Sequence, residues 1–248
     1  MKPLSHNPNI ENIGRNASGI PLMPLNALHH RCSTTARQAP STYRSGAEIK
    51  ICGLTSVEEA AYLNKNKVNF AGFVLFFPKS KRNITIDTAK EIIGYLEPSI
   101  SPVAVVVSPT IEEIKQIQQA GFSYIQIHGQ VEDEVYEIID IPVLKAFNVS
   151  DMDKYQIYAA NPKIKGFVFD AAEPGSGQVF DWNTISSIPR DDRLFILAGG
   201  LNADNVQRAI AAIHPDVVDV SSGVEFTDKD IKGKDPKRVD EFCQAVRG

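Results

Sequence analysis

From residue 48 to the C-terminus, short apolar runs alternate with segments patterned as helices, and the alternation repeats eight times. The runs are EIKIC (48–52), NFAGFVLFF (69–77), VAVVV (103–107), YIQI (124–127), PVLKAF (142–147), GFVFD (166–170), LFILA (194–198) and VVDV (217–220). Most are apolar at nearly every position, as strands covered on both faces must be. Helix marks fill the gaps. Ser56 with Glu59 and Thr110 with Glu113 have capping-box spacing. Asn202 stands before a helix with Val206, Ile210 and Ile213 on one face, and Asp235–Pro236 opens a last helix. That helix carries Val239, Phe242, Cys243 and Val246 on one apolar stripe, so Cys243 reads as core. Strand–helix units of this kind build a parallel sheet covered by helices. Eight of them close a barrel of about 250 residues, and the chain has 248. An open doubly wound sheet would more often use fewer strands. The sequence therefore predicts an α/β chain whose residues 48–248 form a single-domain (β/α)8 TIM barrel.

Residues 1–47 differ from the rest. They are rich in Asn, Ser, Pro and Arg, without a period of 2 or 3.6, and read as a disordered N-terminal extension. Five basic residues and one acid fall here, leaving 21 basic against 29 acidic residues in the body. An acid-poor leader bearing Arg and Ser fits an organelle transit peptide, a functionless extension, or a start codon assigned too far upstream. The acidic body argues against a nucleic-acid partner, and no apolar run approaches the ~18 residues of a membrane span. Cysteines at 32, 52 and 243 show neither disulfide nor metal spacing and fit a reducing, cytoplasmic setting, with organellar import as the alternative.

In a barrel, function sits at the C-terminal strand ends and the loops after them. Three groups occupy such places. LAGGLNADNV (197–206) and VDVSSGVE (218–225) follow the last two strands, where glycine-rich loops commonly cradle phosphate; Gly199, Gly200, Ser222 and Gly223 are the expected donors. FFPKSKR (76–82) follows the second strand and otherwise reads as a solvated basic loop. Of its cations, Arg82 has the planar fork suited to a carboxylate. The third group is Cys52, after the first strand, with Asp170, after the sixth. A strand-end cysteine alone reads as packing, and Asp170 alone as a loop cap. Together on separate strand ends, they are a base and an acid able to act across one substrate.

KICG (50–53), GFV…FPKSKR (72–82), QIHG (126–129), GSGQVFDW (175–182), LAGGL (197–201) and DVSSGVE (219–225) stand in this order along the chain. In these motifs, from about Ile49 onward, the chain closely resembles the phosphoribosylanthranilate isomerases of tryptophan biosynthesis. The resemblance implies a (β/α)8 barrel and an Amadori rearrangement of a small phosphorylated substrate, with neither metal nor cofactor. It implies Asp170 as general acid, Cys52 as general base, Arg82 facing the anthranilate carboxylate, and phosphate on Gly199–Gly200 and Ser222–Gly223. Acid and base roles require environments that hold the thiol deprotonated and the carboxyl protonated. Asp219, at the end of the eighth strand, is expected to orient Arg82 or a ribose hydroxyl, or to form a structural salt bridge. Gly53 is expected to give the substrate room beside the thiol, and Ser56 to cap the next helix. Gln126 and His128 should line the site or stabilise its loop, while Asp181 and Trp182 anchor a helix. Two rivals remain at this level: a barrel that binds a phosphorylated metabolite without turnover, and another sugar-phosphate isomerase such as that of histidine biosynthesis. The latter uses carboxylates in both roles, which a cysteine at 52 disfavours. A monomer or homodimer is expected, with no membrane partner.

Overall fold

The computed structural model describes residues 46–148, 154–170, 188–228 and 230–248. The extension up to residue 45 and the motif GSGQVFDW, with Asp181 and Trp182, lie outside the described residues. In chain order the elements are β1 (Glu48–Cys52), α1 (Glu58–Lys65), β2 (Phe70–Leu75), α2 (Ile86–Ile93), β3 (Ser101–Val107), α3 (Ile111–Gln119), β4 (Tyr124–His128) and α4 (Asp133–Glu137). They continue with β5 (Val143–Asn148), α5 (Tyr155–Ala159), β6 (Ile164–Asp170), β7 (Leu194–Ala198), α6 (Val206–Ile213), β8 (Val217–Val220) and α7 (Pro236–Arg247). All eight strands are parallel, each beside its chain neighbour, and β1 pairs with both β2 and β8, so the sheet closes into a (β/α)8 barrel. A two-residue strand, Asn83–Ile84, lies against the end of β2. Among the described residues no helix is long and apolar enough to cross a membrane.

Because side chains alternate across a strand, the apolar runs feed two layers. Ile49, Ile51, Ala71, Phe73, Ile125, Ile127, Phe147, Phe167 and Phe169 face outward and pack under the helices in the larger core. Inside the barrel a smaller cluster holds Cys52, Phe70, Val103, Val105, Leu144, Ala146, Val168, Ile196 and Val217. Fully burying one such aliphatic or aromatic side chain contributes about 1.5–3 kcal/mol, against about 1 kcal/mol for a helix cap. The packed layers, not the caps, hold the barrel together.

Local signals met different fates. Thr110 and Glu113 form a complete capping box on α3, and Asp235 caps α7 with Pro236 in its first turn. Val239, Phe242, Cys243 and Val246 are all buried there. Only half of the Ser56–Glu59 box forms: buried Glu59 accepts the Ser56 N–H, along with those of Thr55 and Lys234, but α1 has no side-chain cap. Asn202 caps the turn before α6 rather than the helix, accepting the N–H groups of Asp204 and Asn205. The run expected to continue to Phe77 ends at Leu75. Phe76 takes a left-handed φ of 56°, which breaks the ladder, and Phe77 N–H donates to Asn83 Oδ1 at 2.7 Å.

Candidate active site

Cys52 stands at the end of β1 and Asp170 at the end of β6, separated around the barrel by β7 and β8. Asp219 lies on β8, directly in register with Lys50 of β1. Lys50 is two residues before Cys52, so both side chains point inward. Its ammonium is fully buried, donates to Asp219 Oδ2 at 2.8 Å, and acts electrostatically on the Cys52 side chain beside it. The glycine of β2 beside this pair is required by space. A Cβ on Gly72 would fall 2.9 Å from Cys52 Sγ and 3.1 Å from Lys50 Nζ.

Of the alternatives expected for Asp219, the structure shows a salt bridge, made to Lys50 and not to Arg82. One expectation is corrected. The free protein does not favour the thiolate: burial pushes the Cys52 thiol up, Lys50 and Lys234 pull it down, and Asp219 adds to the rise, leaving it above its ordinary value. Lys50 itself remains a cation. Burial disfavours its charge, but Asp219 and Cys52 more than offset that and raise its pKa. Burial also pushes the Asp219 carboxyl up, against Lys50, and the Asp170 charge adds to that rise. Asp219 Oδ1 and Gln126 Oε1 are buried without a hydrogen-bond partner among the described residues. Gln126 Nε2 meets His128 Nε2 at 2.9 Å. Burial and the charges of Lys145 and Lys50 push His128 down to about 4, so it is neutral near pH 7.

Arg82 reaches the same mouth from the loop after β2. Its Nε donates to Glu225 Oε1, and Lys81 pairs with Glu225 Oε2 at 2.7 Å. Buried Lys234 completes the network, reaching Glu225 Oε1 at 3.3 Å and the Ser221 carbonyl at 3.2 Å. Ser221 Oγ in turn donates to the Cys52 carbonyl at 2.8 Å. The room beside Gly53, expected for substrate, is filled by the arginine stem: a Cβ there would lie 2.4 Å from Arg82 Cδ, and φ is +83°. Burial opposes the charge of Glu225, but hydrogen bonds from Arg82 and Lys81 and the Lys234 charge outweigh it and hold the carboxyl at about 2, below its ordinary 4.5. A depressed carboxylate stabilises the fold above its unfolded pKa and loses that contribution as pH falls through the folded one. The stability difference between wild type and Glu225→Gln, measured by urea unfolding, should therefore be full above about pH 5 and shrink toward about pH 2. A difference independent of pH would contradict the ion network.

The two glycine loops meet. Gly199 and Gly200 follow β7 with φ of 92° and 64°, values that favour glycine. Ser222 and Gly223 begin a single helical turn after β8. A Cβ on Gly223 would sit 1.9 Å from the Leu201 carbonyl oxygen, so the loops approach backbone to backbone. Elsewhere, a cavity of about 500 Å³ beside the loops after β3 and β4 is lined by residues including Ser108, Thr110, Val131 and Glu134, with no cysteine, histidine, lysine or arginine. The ionisable groups converge at the barrel mouth instead. Among the described residues no group of three or more His, Cys, Asp or Glu side chains is placed to hold a metal ion.

Sequence reasoning located Cys52, Arg82, Asp170, Asp219 and both loops at this end of the barrel. It missed Lys50, Glu225 and Lys234. For Lys50 the signal was present: a lysine at an inward position of an apolar strand, two residues from the cysteine. Glu225 and Lys234 lie in polar loops, where sequence offers no comparable contrast. Lys145 is also buried, but it bonds the carbonyls of Gly129 and Ala146 and lies over the Phe147 and Tyr158 rings, on the helix-facing side of β5.

Residues 49–245 match the family model for N-(5′-phosphoribosyl)anthranilate isomerase. The enzyme of that name from Bacillus cereus is 36% identical over 200 residues, covering 79% of this chain and 95% of the relative. The crystal structure of the Thermotoga maritima phosphoribosyl anthranilate isomerase superposes with a TM-score of 0.72 at 34% identity, covering 82% of this chain and 99% of that one. A further isomerase structure, in complex with reduced 1-(o-carboxyphenylamino)-1-deoxyribulose 5-phosphate, matches with a TM-score of 0.69 at 33% identity, over 82% and 99% of the two chains. The chain thus belongs to the N-(5′-phosphoribosyl)anthranilate isomerase family.

Proposed function

We propose that this barrel carries out the Amadori rearrangement of N-(5-phosphoribosyl)anthranilate to 1-(2-carboxyphenylamino)-1-deoxyribulose 5-phosphate in tryptophan biosynthesis. The observation that carries the reading is the placement of Cys52 and Asp170 on separate strand ends of one barrel mouth, with the glycine loops after β7 and β8 beside them. Asp170 protonates the furanose ring oxygen, the C1′–O bond breaks, and the anilino nitrogen lone pair forms the Schiff base. Cys52 removes the C2′ proton, the electron pair flows to nitrogen, and the resulting enolamine tautomerises to the ketone. No metal or cofactor enters the scheme.

Arg82 takes the anthranilate carboxylate. Glu225 occupies its Nε–H, which presents the terminal nitrogens of the fork to a second carboxylate. Backbone N–H groups around Gly199, Gly200, Ser222 and Gly223 take the phosphate, and Asp219 Oδ1 accepts from a sugar hydroxyl. The protein acts in the cytoplasm as a monomer or homodimer, with 48–248 as its catalytic body.

A fluorescence assay tests the activity: wild type should consume N-(5-phosphoribosyl)anthranilate with loss of its fluorescence. Iodoacetamide should inactivate by alkylating Cys52, more slowly when the reduced product analogue is bound. A folded protein that binds the analogue tightly without turnover would favour a binding-only barrel. Activity surviving complete Cys52 alkylation would remove the thiol from the mechanism.

A further inference from the structure

The proposed base is buried and, in the free protein, biased toward the neutral thiol, so something must favour the thiolate when chemistry is due. Lys50 is placed to do this. Its ammonium donates to the Asp219 carboxylate at 2.8 Å, and its charge also acts on the Cys52 sulfur, which lies with it against the space that Gly72 keeps open. With Asp219 charged, the pair is neutral overall and the sulfur gains little from the cation. Yet Asp219 Oδ1 is buried and has no partner among the described residues. An acceptor so placed gains a donor when a hydroxyl-bearing ligand enters the mouth. A hydrogen bond there withdraws charge from the carboxylate and weakens its hold on Lys50.

We propose that Lys50 is a positioning residue whose charge is divided between Asp219 and Cys52, and that a substrate hydroxyl donated to Asp219 Oδ1 shifts that charge toward the sulfur, arming the base only in the complex. This rests on Cys52 being the base. The charged groups facing the thiol are Lys50 on its own strand, Asp219 on β8 and Lys234 from the segment before α7. Asp170 on β6 acts on Asp219, and Lys50 also acts on His128 of β4. Lys234 is committed to Ser221 and Glu225, which leaves Lys50 as the cation with a movable allegiance.

The test follows ionisation of Cys52 by ultraviolet thiolate absorbance, taken as the difference from Cys52→Ser, alongside pH profiles of kcat and kcat/KM. An opposite charge at this range moves a pKa by about 1–3 units. Asp219→Asn should therefore lower the thiol titration of the free protein by about 1–3 pH units, and adding Lys50→Met to it should raise the titration again by a similar amount. That comparison isolates Lys50 without leaving a buried carboxylate unpaired. In wild type the acidic limb of kcat, which reports the complex, should lie at lower pH than that of kcat/KM, which reports the free enzyme. Lys50→Met should abolish the separation. If Asp219→Asn with and without Lys50→Met titrate alike, or if the limbs coincide in wild type, the proposal fails. A fully active Cys52→Ser protein would instead sink the base assignment itself, whatever the titrations show.

Discussion

Cys52→Ser and Asp170→Asn should each lower kcat by about 10²–10⁴-fold, the usual worth of a positioned acid or base, while KM changes little. Serine nearly matches cysteine in volume, so the inner cluster around position 52 stays packed. Its hydroxyl ionises far above the thiol, so it cannot take the C2′ proton at neutral pH. Asparagine keeps the shape of Asp170 but has no acidic proton for the ring oxygen. Activity is read by the fluorescence assay, with circular dichroism confirming that both variants fold. If both turn over substrate like wild type, the acid–base scheme is wrong. Loss confined to KM would move the two residues from chemistry to binding.

Gly223→Ala should have the second large effect. The added Cβ would meet a backbone carbonyl oxygen at 1.9 Å, and a carbonyl cannot move aside as a flexible side chain would. The loops after β7 and β8 must then separate. Such overpacking costs about 1–3 kcal/mol in urea unfolding, and it spreads the proposed phosphate donors. KM should rise more than kcat falls, and inhibition by inorganic phosphate should weaken in parallel. Unchanged stability and unchanged phosphate inhibition would show that the loops do not depend on this contact. By contrast Gly200→Ala meets nothing within 4 Å and is strained only by its φ of +64°, so its effect should be smaller.

How far the site was legible depended on which neighbours each residue answers to. Cys52 and Asp170 end apolar strands, Asp219 interrupts one a residue before its end, and the glycines break the chain just beyond, so their places in the repeat marked them. Lys50 was visible as a charge on the inward face, but its meaning depends on β8, 169 residues away in sequence. The Ser56–Glu59 pattern was half right: Glu59 Oε2 accepts the Ser56 N–H, but its Oε1 also serves the Lys234 N–H far along the chain, and α1 starts after Val57 with no serine cap. A cap is worth about 1 kcal/mol, and the buried Glu59 carboxylate has its oxygens satisfied by local and distant N–H groups together.

The sequence by itself pointed to the barrel: apolar runs alternating with helix-forming stretches require a parallel sheet covered on both faces, and eight is the number that closes one. It also determined which residues would stand at the mouth, because strand ends and turn glycines are local properties. Only the tertiary structure decided how those residues share charge. Closure of β8 onto β1 gives Lys50 to Asp219 rather than leaving Asp219 to Arg82, and the loop after β8 gives Arg82 to Glu225. Ion pairing depends on distances of a few ångströms between segments far apart in the chain, and burial decides how strongly each charge is felt. Neither can be read from periodicity.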